Sequence, residues 1–382
     1  MAALTSLLPL PLSPLPAAGH DVAAAGAAVL EGPEAEASRP KDVAEQAGVA
    51  QRLRDSHGRA ITDLRLSVTD RCNFRCVYCR TGSGNETLGE LPLDDYSHML
   101  RLFAELGVEK VRFTGGEPLL RRGLVDLIRE TSRLRPAFGT ASRMDLAITT
   151  NGHLLAPMVN DLKAAGLTRV TVSMDAVNPE TFARITRIPG SFSRVRDGIR
   201  AAQDAGFGPV KVNCVLMRGF NDGEIEAFAE FSRTEGVIVR FIEFMPLSED
   251  RSWAPETVVR LDEILERLNK VRPVVPLPAN QLSETARRFT FDDGLGEIGI
   301  IAPVSHPFCG HCSRIRLTSD GKIRTCLFSQ SDHDLAGPLR RGASDAELIA
   351  LIRRVVDRKE ARHHIGEAGF LSPSRSMVQI GG

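Results

Sequence analysis

The feature that most narrows the fold is a repeated alternation. Six short runs with the two-residue period of a strand cover 64–68, 108–113, 145–149, 169–173, 210–216 and 237–241. Between them lie stretches with helical spacing at 93–106, 124–133, 154–165, 180–185, 194–205 and 222–234. Strands that recur a helix apart are predicted to lie parallel, joined by right-handed crossovers. Six units are too few for a closed eight-fold barrel. The expectation is therefore an α/β chain forming an open, incomplete (β/α)6 barrel of the TIM type.

The second half has another texture. After a helix expected at 258–268 the alternation stops and Pro and Gly rise. An apolar run at 298–301 precedes a hairpin, 314–317 and 322–325, turning at Ser319-Asp320-Gly321. An amphipathic helix is expected at 345–357, and the chain ends SRSMVQIGG. A boundary is placed near 246–254, giving a partial barrel over 46–250 and a C-terminal region over 251–382. That region is too small to build a large core alone and is expected to cap the open barrel. Residues 1–45 are Pro-broken and then rich in Ala, Gly and Glu, and their first basic residue is Arg39. This is neither a secretory n-region nor an Arg-rich transit pattern. The stretch reads as a disordered tail, with a short apolar docking segment as the alternative.

Past the first strand stand Cys72, Cys76 and Cys79, in CNFRCVYC. Three thiolates so close can hold three irons of a 4Fe–4S cube, leaving the fourth iron open to a small molecule. A zinc site completed by a distant ligand is the alternative. Phe74, Val77 and Tyr78 interleave the thiols and would shield a cluster from water. A second trio, Cys309, Cys312 and Cys326, has His306 and His311 nearby. It admits a structural zinc with three Cys and one His, or another cluster. Cys214, in an expected buried strand, reads as a core thiol.

Seven cysteines, six of them in two groups, argue against a disulfide framework and for metal in a reducing compartment. Lys plus Arg equals Asp plus Glu at 48 each, so no global charge draws the chain to nucleic acid or membrane. No run approaches the roughly 18 apolar residues of a membrane span. Any anion site must be built locally, and the strands supply one. Arg65, Arg112 and Lys211 each alternate with apolar neighbours, and Arg314 and Arg316 flank Ile315 on one face of their strand. Singly such residues are usually solvated or ion-paired. Together at a barrel mouth they suit a triphosphate. Gly115-Gly116-Glu117-Pro118, just past a strand, brings backbone close to a ligand and offers a carboxylate to an ammonium, unless it is an ordinary turn.

The run DLRLSVTDRCNFRCVYC resembles the radical S-adenosylmethionine (SAM) signature, and within that superfamily the GTP 3′,8-cyclase family of molybdenum cofactor biosynthesis. The resemblance extends from Leu64 to the chain end. It departs after Cys79, where the family usually has Met-Pro and this chain has Arg80-Thr81 and a Gly-rich stretch.

The resemblance implies a 4Fe–4S cluster on Cys72, Cys76 and Cys79, and a second on Cys309, Cys312 and Cys326 whose open iron faces substrate. It implies SAM contacts at Tyr78, Gly116, Ser173 and Met245, with Glu117 in the same site. It implies GTP contacts at Arg65, Arg112, Thr149, Lys211, Arg314, Ile315 and Arg316, and a terminal Gly381-Gly382 that reaches the active site and steers the radical step beside Arg314 and Arg316. The implied reaction takes the 3′ hydrogen of GTP and closes carbon 3′ onto carbon 8, giving (8S)-3′,8-cyclo-7,8-dihydroguanosine 5′-triphosphate. The implied setting is cytoplasmic, with a reductant such as flavodoxin or ferredoxin and a downstream cyclic pyranopterin monophosphate synthase. A homodimer is left open. The competing readings are a radical SAM peptide modifier, which usually carries more cysteines in its second half, and a zinc-stabilised binding module.

Overall fold

Each expected βα unit follows its sequence pattern. In the computed structural model the first half runs β1 (Asp63–Ser67), α1 (Leu93–Glu105), β2 (Lys110–Thr114), α2 (Leu124–Arg133), β3 (Asp145–Thr150), α3 (Leu155–Ala164) and β4 (Arg169–Ser173). It continues with α4 (Pro179–Thr186), α5 (Ser191–Asp204), β5 (Lys211–Leu216), α6 (Ile225–Glu235) and β6 (Ile238–Glu243). Local signals set several ends. Asn178 caps α4 by accepting from the N–H groups of Glu180 and Thr181 at 2.9 and 3.0 Å, with Pro179 opening the helix. The structure describes residues 51–79, 87–139, 141–247 and 253–381, which belong to a unit spanning Ala50–Gly382. The expected tail at 1–45, the Arg80-Thr81 departure and Gly382 lie outside the described residues.

Strands β1 to β6 lie side by side in chain order, all parallel. The remaining elements are α7 (Leu261–Val271), β7 (Val274–Leu277), β8 (Arg287–Phe291), β9 (Glu297–Ile301), β10 (Arg314–Leu317), β11 (Lys322–Arg324), β12 (His333–Asp334), α8 (Ala336–Arg340), α9 (Asp345–Asp357) and α10 (Met377–Ile380). The hairpin of β10 and β11 forms as expected, with Arg316 opposite Arg324.

The sequence did not predict what the C-terminal strands do. Strand β9 adds parallel to β6, with Ile238 opposite Glu297, and β10 adds parallel to β1, with Asp63 opposite Arg314. The parallel run becomes β10-β1-β2-β3-β4-β5-β6-β9, with β11 and β12 antiparallel on one side and β8 and β7 on the other. Neither β9 nor β10 belongs to a βαβ repeat, so the alternation carries no trace of them. The sheet stays open between β12 and β7. Its ends are a two-residue strand and a strand interrupted by Pro276, both poor templates for further pairing.

The core lies between this sheet and its helices. Leu64, Leu66, Val111, Phe113, Leu146 and Ile148 are at most 1% exposed and pack with Tyr96, Met99 and Phe103 of α1. Alternation then sends Arg65 and Arg112 to the other face of the sheet, into the barrel. The segment 302–313 leaves β9 at one edge of the parallel run and enters β10 at the other, so it crosses the open side of the barrel. Cys309 and Cys312 lie on that crossing.

Candidate active site

Cys72, Cys76 and Cys79 follow β1 on a loop held from both sides. The N–H groups of Arg75 and Val77 donate to the carbonyls of Thr186 and Ile185 at the end of α4, at 3.1 and 3.0 Å. Phe74 is 3% exposed and meets His153 and Phe182 edge-on, with ring centroids 5.7 and 6.2 Å away. Burial pushes the Cys76 thiol well above its usual range, and Asp175, Cys79 and Cys72 push it further. Each thiolate thus makes the next costlier until positive charge is shared among them. The N–H of Phe74 and the Asn151 amide lie 3.4 and 3.9 Å from the Cys72 sulfur, the kind of donors that stabilise a ligating thiolate. This donor set fits an iron–sulfur cluster. Among the described residues no three His, Cys, Asp or Glu side chains lie close enough to hold a single ion.

The Gly115-Gly116 pair packs on the backbone that leads to these cysteines. Gly115 has φ +154°, and a Cβ on Gly116 would run into the carbonyl of Arg71. The N–H of Gly116 donates to Thr69 at 2.8 Å and that of Glu117 to Arg71 at 2.7 Å. Glu117 is fully buried and turned toward β3. Its carboxylate accepts from the Thr150 hydroxyl at 2.7 Å and from the N–H groups of Asn151 and Leu119 at 2.7 and 3.0 Å. Burial lifts it to about 7 against those bonds. Ser173 ends β4, and Met245 lies two residues beyond β6, against an apolar cluster with Leu247, Phe328 and Ile380.

Deeper in the barrel is a set of cations that form no ion pair with a carboxylate among the described residues. Arg316, Arg65 and Arg112 stand directly opposite one another on β10, β1 and β2. Arg112 donates to the hydroxyls of Thr149 and Thr171 at 3.2 and 3.3 Å. Burial, followed by Arg316, Arg112 and Arg314, depresses Arg65 far below its ordinary value. Burial also brings Arg112 and Arg316 to about 10 and Lys211 to about 8. Arg314 stacks on Phe308, with its guanidinium carbon 5.2 Å from the ring centroid. Ile315, between the two arginines, is fully buried on the opposite face.

Sequence reasoning missed Arg240, which joins this set from β6. It donates to Asn213 at 3.0 Å and shares the Thr171 hydroxyl at 3.4 Å, and burial brings it to about 9. The signal was available: Arg240 alternates with Val239 and Phe241 as the other basic residues do with their neighbours. It also missed Asp175, which follows Ser173 by two residues and accepts from the Tyr78 hydroxyl at 2.8 Å.

The second trio lies beside these cations. Cys312 is half-buried, and burial would raise it, but Arg314, Lys359 and Arg59 bring it below the usual thiol range. Burial raises Cys326. Arg59 ties the region down, donating to the carbonyls of Cys309 and Ala361 at 2.9 and 2.8 Å. Among the described residues, both His306 and His311 fall outside any three-ligand group for a single ion. The chain end also arrives here. The Gln379 side chain accepts from the Ser376 N–H at 3.1 Å at the start of α10, and Arg375 pairs with Asp320 at 2.9 Å. The Arg316 guanidinium donates to the carbonyl of Gly381. Gly381 has φ +75°, and a Cβ there would lie 2.5 Å from the Thr114 hydroxyl and 3.2 Å from Ser67 Cβ. The terminus is thus threaded between the ends of β1 and β2, where only glycine fits.

Residues 66–232 match the model of the radical SAM superfamily, and 237–365 that of a Molybdenum Cofactor Synthesis C domain. The barrel and its cysteine loop therefore define a radical SAM protein. The chain is 42% identical over 82% of its length to a GTP 3′,8-cyclase of Acidothermus cellulolyticus, covering 88% of that protein. It is 43% identical over 86% of its length to one of Rhodopirellula baltica, covering 92%. It belongs to the GTP 3′,8-cyclase family. Among solved structures, Streptococcus suis SuiB bound to precursor peptide SuiA superposes with a TM-score of 0.56 at 15% identity, over 78% of this chain and 68% of that one, a likeness of fold. Radical SAM membership brings a 4Fe–4S cluster and SAM as cofactors, and Cys72, Cys76 and Cys79 could hold that cluster. Among the described residues no helix is long and apolar enough to cross a membrane.

Proposed function

We propose that this chain converts GTP to 3′,8-cyclo-7,8-dihydroguanosine 5′-triphosphate, the first step of molybdenum cofactor biosynthesis. The observation that carries the reading is the row Arg316-Arg65-Arg112, the first buried and the other two half-buried, in register and, among the described residues, without a carboxylate ion pair, with Lys211, Arg240 and Arg314 around it. Such a row is costly for a folded chain unless a polyanion neutralises it. A triphosphate supplies that charge, and guanidinium forks match its oxygens. When bound, the first cluster and SAM supply a carbon radical able to take a ribose hydrogen.

The chain's own residues bind and orient. Tyr78, Gly116, Ser173 and Met245 line the SAM side, and Glu117 braces it from beneath by holding Thr150 and Asn151. Arg65, Arg112, Thr149, Lys211 and Arg316 hold GTP. Cys309, Cys312 and Cys326 hold a second 4Fe–4S cluster next to the base, with Arg314, Ile315 and Arg316 following on β10. Gly381, held by Arg316, and the terminal Gly382 steer the radical step. The division of labour is a barrel over 46–250, extended at its two edges by β10 and β9, and a substrate-side region formed by the rest of 251–382. The protein works in the cytoplasm, takes electrons from a flavodoxin- or ferredoxin-type carrier, and passes its product to a cyclic pyranopterin monophosphate synthase.

The test is anaerobic reconstitution with iron, sulfide, SAM and GTP deuterated at carbon 3′. The expected result is a cyclised isomer of GTP, with deuterium transferred to 5′-deoxyadenosine. Deoxyadenosine without label and without the isomer would overturn the reading.

A further inference from the structure

We propose that Asp175 is a positioning residue for SAM, acting through Tyr78; the inference rests on the reading above, in which Tyr78 lies on the SAM side. Asp175 is 3% exposed and has no cationic partner among the described residues. Its two oxygens are divided between two elements. One accepts from the Val215 N–H of β5 at 2.8 Å, the other from the Tyr78 hydroxyl of the cysteine loop at 2.8 Å. Its own carbonyl is held by the Asn221 side-chain amide at 2.8 Å, and the same amide donates to Val215 at 2.8 Å. The carboxylate is thus fixed before Tyr78 reaches it.

Tyr78 stands between Cys76 and Cys79, so this bond ties the last turn of the cysteine loop to the ends of β4 and β5. Ser173, two residues before Asp175, ends β4. One carboxylate therefore sets the spacing between two SAM-side contacts that are 95 residues apart in sequence, counting from 78 to 173. The burial of an unpaired carboxylate for stability alone is unfavourable, which points to positioning as its use. It has a second effect. Asp175 is hydrogen-bonded to the residue between Cys76 and Cys79, so its charge disfavours adding an electron to a cluster on that loop.

The test uses the full chain, anaerobically reconstituted, with Tyr78→Phe, Asp175→Asn and the double variant. Iron content and thermal midpoint report folding and loading. SAM affinity is read from the change in the electron paramagnetic resonance spectrum on titration, and the midpoint potential of the first cluster by spectroelectrochemistry. Each single variant is expected to weaken SAM binding about ten- to hundredfold, the size of one lost hydrogen bond to a charged group. The double variant should lose no more than either alone. The potential should rise in Asp175→Asn, where an anion is removed, and not in Tyr78→Phe, where it remains. Additive losses, wild-type SAM affinity in Tyr78→Phe, or an unmoved potential in Asp175→Asn would each overturn the proposal. Should Asp175→Asn fail to fold, Tyr78→Phe alone still decides it. Failure of the wild-type chain to bind SAM would instead strike the functional reading.

Discussion

The two cysteine trios are alike in number and opposite in surroundings. Beside Cys76 burial is reinforced by a carboxylate, Asp175, and by the neighbouring thiols. Beside Cys312 burial is overcome by Arg314, Lys359 and Arg59. Thiolates in the first setting are costly and any added electron is costlier. In the second the Cys312 thiolate is favoured before metal arrives, although burial raises Cys326, and an anionic ligand is welcome beside the cations. The first suits a centre that must release its electron to a cationic sulfonium, and the second suits one that greets a nucleotide. The difference lies in neighbours that are distant in sequence, since each trio's own spacing is silent about charge.

The largest effect should come from the ligands themselves. Cys72→Ser, Cys76→Ser or Cys79→Ser is expected to abolish 5′-deoxyadenosine release while the second cluster still assembles, read by iron content and spectroscopy. Normal release from any of the three would break the assignment. The matching change at Cys309, Cys312 or Cys326 should leave SAM cleavage measurable and remove cyclised product.

Next is the chain end. Deleting Gly381 and Gly382 should preserve both clusters and substrate binding and remove cyclised product, with SAM cleaved unproductively. Gly381→Ala should approach this loss, because alanine is strained at φ +75° and its Cβ would crowd Thr114. Wild-type product from the truncated chain would make the terminus a frayed end.

The cations come third. Arg314→Ala or Arg316→Ala should weaken GTP binding by about ten- to hundredfold, the cost of about 1.5–3 kcal/mol for a lost charge-assisted contact. SAM affinity should stay near normal, because these residues face the second trio. Unchanged GTP affinity in both would remove them from the phosphate site.

These contrasts show what the sequence could convey. The βα repeat was legible because each strand and helix announces itself within ten residues, and the barrel arginines were legible because Arg65 or Arg112 breaks an apolar alternation. The edge positions of β9 and β10 were not, since their partners lie 251 residues away for β10, counting from Asp63 to Arg314, and in an already completed repeat for β9. Strand β8 hides in RRFTF, where charge masks the alternation, and α10 has four residues. The spacing of Ser376 and Gln379, that of a capping box, was the one local sign of it. Asp175 was illegible for another reason: a lone acid after a strand is common, and only the fold brings Tyr78 to it.

The smallest expected effect concerns protons and separates Lys211 from the arginines around it. Burial, then Arg240, Arg169 and Arg112, bring Lys211 down to about 8, whereas Arg112 and Arg316 stay near 10. A triphosphate beside it would restore its charged form, so GTP binding should take up a proton at alkaline pH. The sign follows from the depressed value in the free protein. Below about 8 the lysine is already charged and affinity is full. As pH rises through 8 each binding event must first recharge it, and affinity falls. The terminal phosphate completes its last ionisation near neutrality, and the negative charge it gains favours binding to cations, so it cannot cause the fall. Between pH 7 and 9 the loss should be about tenfold if binding requires the charged lysine. Lys211→Arg should flatten that slope, because guanidinium stays charged across the range. Calorimetry in buffers of different ionisation enthalpy would read the proton directly. A pH-independent GTP affinity in the wild-type chain would place Lys211 outside the phosphate site while leaving the arginine row in place.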